Sequence, residues 1–323
     1  MADSPAKITE RACPVSPQVS REISQLPGAT TSRAVTIGKF DGVHRGHQAV
    51  IERLRGVSGG HEVTVVTFDR HPKELLSPAE APPPLVSVEQ KIEMLGGVGC
   101  DRVAVIPFTP EFAELDHDAF VRQILVDGLG AKEVLVGRDF RYGRGGEGTL
   151  ETLQTSGDQH GFSVHVCDDV EEADGQRISS TMIRRDLAEG NVRRAYELLG
   201  RYHRVRSVVV KGYQRGRELG YPTANLSNPV EGFVPADGVY ATWLYAGGEK
   251  FPAATSIGTN PTFGDVEQRI IESHALGASM DLYGRTVELD FVEYIRPMNK
   301  FPDMAALAHQ MDVDAAKILD ILR

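Results

Sequence analysis

The chain has 323 residues, of which 41% are hydrophobic and 25% charged, and its formal net charge is −10. At ~150 residues per domain this length suits about two globular domains, and the composition excludes a wholly disordered or collagen-like chain. The acidic balance argues against a broad nucleic-acid face, so phosphate chemistry has to be gathered in small local sites.

Cys13, Cys100 and Cys167 are odd in number, widely spaced and free of any CxxC pattern. They signal neither a disulfide framework nor a zinc knuckle, and they fit a reducing cytoplasm. The opening stretch MADSPAKITERACPVSPQVS lacks the apolar core of a secretory signal, and no run of ~18 apolar residues predicts a membrane span. Residues 1–15 read as a loose tail, and no clear short strand is expected before Arg33.

From Arg33 onward, short β-branched runs alternate with amphipathic stretches: AVTIG, a helical GHQAVIERLRG, EVTVVTF, RVAVIPF, a helical HDAFVRQILVDGL, EVLVG and SVHVC. That alternation predicts βαβ units and a mainly parallel, doubly wound sheet with ligands at the carboxyl ends of its strands. Two helical segments follow, SSTMIRRDLAEG and VRRAYELLG, and near Arg201 the pattern changes. RVRSVVVKG, GVYATWLYAG, AATSIG, QRIIESHAL and TVELDFVEYI are short extended pieces bounded by turn residues, which favours an antiparallel barrel or sandwich. MAALAHQMDVDAAKILDILR has helical periodicity and closes the chain. The domain boundary falls within residues 189–201.

Two stretches carry chemistry. VTIGKFDGVHRGHQAVI sets Gly38, Gly42 and Gly46 with His44 and His47 between a strand and a helix, where backbone N–H groups can face a phosphate. Histidines three apart can turn their rings to one side of the first turn and stabilise charge building at phosphorus. They could equally be turn residues or, less readily, metal ligands. The HxGH element after a glycine-rich strand end resembles the signature of the nucleotidyltransferase superfamily. RISSTMIRRDL supports it, with Ser179, Ser180 and Thr181 as helix-cap candidates and Arg184 a turn further on, although alone it would pass for an ordinary capped helix.

In the second half, KGYQRGRELGYPTANL interleaves Gly212, Gly216 and Gly220 with Lys211, Arg215 and Arg217, a phosphate-cradling composition that lacks a P-loop pattern. A flexible basic turn is the plainer alternative. Thr223 and Asn225, two apart on an extended chain, supply hard oxygens of the kind Mg²⁺ accepts. Glu272 is the candidate base for a hydroxyl attacking a γ-phosphate. A period of two puts it with Ile270 and Leu276, where apolar surroundings would raise its pKa; the same pattern also fits a surface acid on an edge strand.

FDGVHRGH, TFDRHP, ISSTMIR, GYPTAN, SIGTNPTFG, the Glu272 segment and DLYGRTVELDFVEYIRP stand in the order found in the bifunctional bacterial FAD synthetases (riboflavin kinase/FMN adenylyltransferase). The chain resembles that family from about Arg33 to its end. The resemblance implies a Rossmann-like nucleotidyltransferase domain over 16–188, a linker over 189–201, and over 202–323 a small Greek-key β-barrel riboflavin kinase domain with a C-terminal helix. It implies two reactions, phosphorylation of riboflavin to FMN and adenylylation of FMN to FAD with release of pyrophosphate. ATP and Mg²⁺ serve both, with no permanently bound cofactor, no nucleic acid and no membrane partner.

Carried onto this sequence, the resemblance gives His44, His47 and Arg184 to adenylyl transfer, with Ser180 and Thr181 on ATP phosphates. Gly38, Phe40, Asp41, Gly46, Asp69, His71 and Asp139 would line the ATP and flavin site. Gly212, Arg215 and Arg217 would border the kinase phosphates, Thr223 and Asn225 would hold Mg²⁺, and Glu272 would be the base. The chain departs from the family at VGRDFRYG, where Asp139 replaces an amide. A carboxylate there opposes phosphate unless a cation neutralises it, and Arg138 or Arg141 is the expected partner, with Lys39 adding positive charge. Two other readings are an adenylyl or cytidylyl transferase with a different acceptor, against which the kinase half speaks, and a flavin-binding regulatory protein without turnover.

Overall fold

The computed structural model describes residues 16–168, 175–211, 223–259, 269–278 and 280–323. The described residues of Met1–Pro82 and Val88–Arg177 form one compact unit, and those of Pro83–Ser87 and Ile178–Arg323 form another.

In the first unit, β1 (Gln18–Ser20), β2 (Arg33–Ile37), β3 (Glu62–Phe68), β4 (Arg102–Ile106), β5 (Ala131–Gly137) and β6 (Ser163–Cys167) make one sheet in the order β1-β4-β3-β2-β5-β6. Every pairing is parallel. β2 and β4 are buried along their whole length, as expected of parallel strands covered on both faces. Alternate residues feed two separate cores. Val35, Ile37, Val134 and Val136 meet Ile124, Leu125 and Leu153 on one side, while Ala34, Val63, Val65 and Leu135 meet Ile51 and Leu54 of the helix Arg45–Val57 on the other.

The sheet has an opening strand that the sequence did not suggest. Gln18–Ser20 pairs with β4, Val19 opposite Val103, and three residues are too few to display a period. The segment read as one amphipathic helix from His117 begins as an α-helix at His117–Phe120 and continues in wider π-type turns over Val121–Gly128. At the amino edge of the sheet, Arg33 is buried, donating to the carbonyls of Gly28, Thr31 and Leu129 and pairing with Glu62, which also takes Arg102. That edge is therefore closed by structural charge, and the opposite, carboxyl edge is the one free for chemistry. The chain runs from β2 outward to β3 and β4, then crosses to β5 on the other side of β2. The crevice beside β2 is thus the topological switch point, where open α/β sheets place their ligands.

The second unit holds β7 (His203–Val210), β8 (Ala224–Leu226), β9 (Gly238–Ala246), β10 (Glu249–Thr259), β11 (Arg269–Ala275) and β12 (Thr286–Arg296), closed into a barrel in the order β10-β11-β8-β7-β12-β9. All its pairings are antiparallel. Val205, Leu244, Ile257, Leu289 and Phe291 are fully buried. The C-terminal helix Met304–Ile321 is capped by Asp303, whose carboxylate accepts the Ala306 N–H. Ile318 and Leu322 pack on Ala241 and Val292, and an Arg296–Asp314 pair at 2.8 Å pins the helix to β12. The helices Ser180–Ala188 and Val192–Leu199 belong to this unit.

Candidate functional site

At the carboxyl end of β2 the chain turns through GKFDGVHRGH. A Cβ on Gly38 would lie 3.0 Å from the Phe40 ring, so glycine lets that ring fold back onto the strand end. Phe40 (φ 49°) and Val43 (φ 38°) take left-handed backbone beside Gly42 (φ 80°). Such backbone costs a non-glycine residue about 1–3 kcal/mol and survives only where its surroundings enforce it. Here both side chains are buried and the Gln48 amide donates to the Val43 carbonyl at 2.9 Å.

The turn delivers His44 to the N-cap of the helix Arg45–Val57, where its Nδ1 accepts the His47 N–H at 3.4 Å. That bond assigns the proton of a neutral His44 ring to Nε2. The two imidazoles stack, centroids 3.6 Å apart and planes 18° from parallel, and Phe40 lies 5.0 Å from the His47 ring. His47 as a residue is half-buried, yet its Nδ1 is fully buried and has no partner among the described residues. Burial, then the charges of His44, Lys39, Lys91 and Arg177, hold its pKa well below the usual imidazole value, so the ring is neutral at neutral pH. Asp41 is buried in the turn and Gly46 is the second residue of the helix. A stacked imidazole pair beside the first-turn N–H groups of a helix suits an incoming phosphate.

TFDRHP lies at the carboxyl end of β3, next to β2. The Asp69 carboxylate accepts the Phe108 N–H at 2.8 Å and pairs with Arg70 at 3.1 Å. His71 caps the short helix Pro72–Leu76, its Nδ1 accepting the Lys73 N–H at 3.1 Å. Both residues therefore brace the strand end in this state. Asp139, two residues past β5 on the other side of β2, pairs with Arg177 at 2.9 Å, and that bond holds its carboxyl below the usual range. Neither Arg138 nor Arg141 fills the role expected from sequence: Arg138 turns to Asp168 at 2.6 Å. The expectation that Lys39 adds positive charge near Asp139 agrees with the charges acting on that carboxyl.

Ser180, Thr181 and Arg184 lie in the second unit. Ser179, not either of its neighbours, is the N-cap, accepting the Met182 N–H at 3.3 Å. Ser180 opens the helix, Thr181 is exposed, and the Arg184 guanidinium donates to the Pro83 carbonyl at 2.7 Å.

In the barrel, Ser256, Glu272 and Asn225 are successive register partners across β10, β11 and β8. Directly opposed residues share a face with Cβ atoms about 4.5–5.5 Å apart, so the carboxylate and the amide are neighbours. The Asn225 Nδ2 donates toward the Thr223 hydroxyl at 3.5 Å, which puts the two proposed metal ligands on one side. β11 is paired on both sides, so Glu272 is not on an edge strand. Ile271, Ser273 and Ala275 are buried, and Glu272 lies half-buried on the other face, where burial raises its pKa. Gly212, Arg215 and Arg217 lie outside the described residues. Sequence reasoning missed Ser256, Arg177 and the buried Lys91. For Lys91 a signal existed: in VEQKIEMLGG it shares the helix face of Val88 and Leu95, an apolar stripe with one amine in it.

A parallel sheet with paired imidazoles at its switch point, followed by a closed barrel with a carboxylate beside an amide and a hydroxyl, defines a two-unit transferase acting on phosphates. The FAD synthetase family matches residues 27–182 and the riboflavin kinase family residues 199–322. The chain is 37% identical over 301 residues to the bifunctional riboflavin kinase/FMN adenylyltransferase of Pseudomonas fluorescens, covering 93% of this chain and 96% of that one. It is 38% identical over 284 residues to the protein of the same description from Escherichia coli K12, covering 87% and 90%. A crystal structure described as a macrolide-efflux protein from Streptococcus pneumoniae superposes with a TM-score of 0.82 at 30% identity, over 94% of this chain and 98% of that one. The chain belongs to the bifunctional riboflavin kinase/FMN adenylyltransferases. Its C-terminal domain phosphorylates riboflavin to FMN and its N-terminal domain adenylylates FMN to FAD. No helix among the described residues is long and apolar enough to cross a membrane.

Proposed function

We propose that His44 and His47 donate hydrogen bonds to the ATP phosphates during attack by the FMN phosphate on the α-phosphorus, with pyrophosphate leaving. The observation that carries this reading is the stacked imidazole pair at a helix entrance beside the switch point. Both rings keep N–H donors without needing to be protonated, and donors fixed before the reaction stabilise developing charge without reorganising. Gly38, Phe40, Asp41 and Gly46 shape the turn around them, and Asp69, His71 and Asp139 frame the neighbouring strand ends. Ser180, Thr181 and Arg184 serve the polyphosphate, a role that rests on the SSTMIR motif.

In the kinase half, Glu272 takes the proton from the riboflavin 5′-hydroxyl as that oxygen attacks the γ-phosphorus. Its raised pKa, caused by burial, brings the base closer to working pH. Mg²⁺ would be held by the oxygens of Thr223 and Asn225, with Gly212, Arg215 and Arg217 at the phosphates. The Asn225 amide lies beside the Thr223 hydroxyl, and neutral oxygens from these two side chains suit a hard ion that keeps phosphate and water as its other ligands. The ion would neutralise phosphate charge. No resident cofactor is required, the enzyme works in the cytoplasm, and the catalytic modules run over 16–188 and 202–323.

Product analysis over time with riboflavin, ATP and Mg²⁺ tests the reading. His47→Ala should accumulate FMN and lose FAD formation by about 10²–10³-fold, as for removal of one transition-state donor. Glu272→Gln should lose FMN formation by about 10²–10⁴-fold, the worth of a general base, while still converting supplied FMN to FAD. Loss of both activities in either folded variant would break the assignment.

A further inference from the structure

Lys91 is one of the few charged side chains buried in the first unit, 8% exposed, and nothing so far gives it a task. A buried ammonium is costly unless polar and charged groups compensate it. It stands on the helix Val88–Gly97 and reaches the end of β3, where its Nζ donates to the Phe68 carbonyl at 3.1 Å and toward the Thr67 hydroxyl at 3.4 Å. The Thr67 hydroxyl, itself fully buried, passes its own proton to the Lys39 carbonyl at 3.0 Å. Lys39 immediately precedes Phe40, the first of the left-handed residues in the histidine turn. A chain of two hydrogen bonds thus runs from the lysine through the threonine to the backbone that sets the positions of His44 and His47.

Gln48 secures the far end of that turn through the Val43 carbonyl, and the Lys91–Thr67 relay secures the near end. Burial lowers the lysine's pKa, and the carboxylates of Asp41, Asp69 and Glu74 oppose that shift. Asp41 comes from FDGVHRGH and Asp69 from TFDRHP, so one amine is shared by both motifs. The lysine also acts on His47, together with His44 at the helix entrance, Lys39 from the loop and Arg177 from the segment that ends the unit.

We propose that Lys91 is a positioning residue for adenylyl transfer: through Thr67 it clamps the strained turn that stacks the two histidines. The proposal rests on the roles given above to His44 and His47.

Three variants test it and a fourth tests the parent reading, with riboflavin kinase activity of the same polypeptide as the internal reference. Lys91→Met should lower kcat for FAD formation by about 10–100-fold, the scale of a small misplacement of catalytic groups, with KM for ATP and FMN changed far less. Losing a nearby positive charge makes His47 easier to protonate, so its titration, followed by NMR of the ring and by the acid limb of the FAD rate profile, should move to higher pH. Thr67→Val should lower kcat while leaving that titration in place, and Thr67→Ser, which keeps the hydroxyl, should restore turnover. Wild-type kcat and an unmoved His47 titration in Lys91→Met would overturn the proposal, and so would parallel loss of both activities in Lys91→Met and Thr67→Val, which marks simple core support. His47→Ala that still makes FAD would instead sink the parent reading.

Discussion

Asp139 sets a carboxylate just past the end of β5, and Arg177 meets it at 2.9 Å. Both side chains are more than half exposed, so the pair adds little to stability. Its weight is local, because Arg177 and Lys39 also act on His47, and the carboxylate cancels charge that a phosphate could use. Asp139→Asn should therefore lower KM for ATP or FMN in FAD formation by several-fold at low ionic strength, leaving riboflavin phosphorylation unchanged. The gain should shrink above ~0.15 M salt, where the screening length falls to about 8 Å. Steady-state kinetics at two salt concentrations check it, and an increased KM would mean that Asp139 itself contacts substrate.

Within the barrel, the strands that carry the kinase residues are tied by a buried row of hydroxyls. Thr242 of β9 meets Thr255 of β10 at 2.7 Å, and Thr255 meets Ser273 of β11 at 2.9 Å. All three are buried, on the face opposite to Ser256 and Glu272. Thr255→Val removes the middle member and leaves a buried Ser273 hydroxyl short of its partner, a loss of about 1–3 kcal/mol. Denaturant unfolding should show that drop, and a stability unchanged from wild type would mean the row is worth nothing net. The long elements of both units, including the barrel strands on either side of this row, were legible because their burial alternates or runs continuously over five or more residues. β1 was not, being three residues long and set by a pairing partner far away in sequence. The same division holds for the sites. His44 and His47 could be read because they stand three positions apart on one turn, whereas Lys91 and Arg177 reach the turn only through the folded sheet.

Across the whole molecule, each unit holds an imidazole whose pKa is lowered by burial: His47 in the first and His203 in the second. His203 begins β7, donates from Nε2 to the Phe233 carbonyl at 2.6 Å, and burial pushes its pKa down to about 4. The unfolded chain binds a proton on this ring below about pH 6.5 while the folded barrel refuses it until pH 4, so stability must fall as pH drops through that window. The difference amounts to roughly 3 kcal/mol, fully lost below pH 4. His47, also depressed, acts in the same direction on the first unit, whereas the raised pKa of Glu272 favours the folded barrel as pH falls and offsets part of the loss. The chain has one tryptophan, Trp243 of β9, so its fluorescence reports the barrel alone. Denaturant midpoints followed by that signal at pH 7, 5.5 and 4.5 should decline in wild type and decline less steeply in His203→Gln, which retains an N–H donor but cannot titrate. Equal slopes in the two proteins would show that His203 is not the group through which acid weakens the barrel.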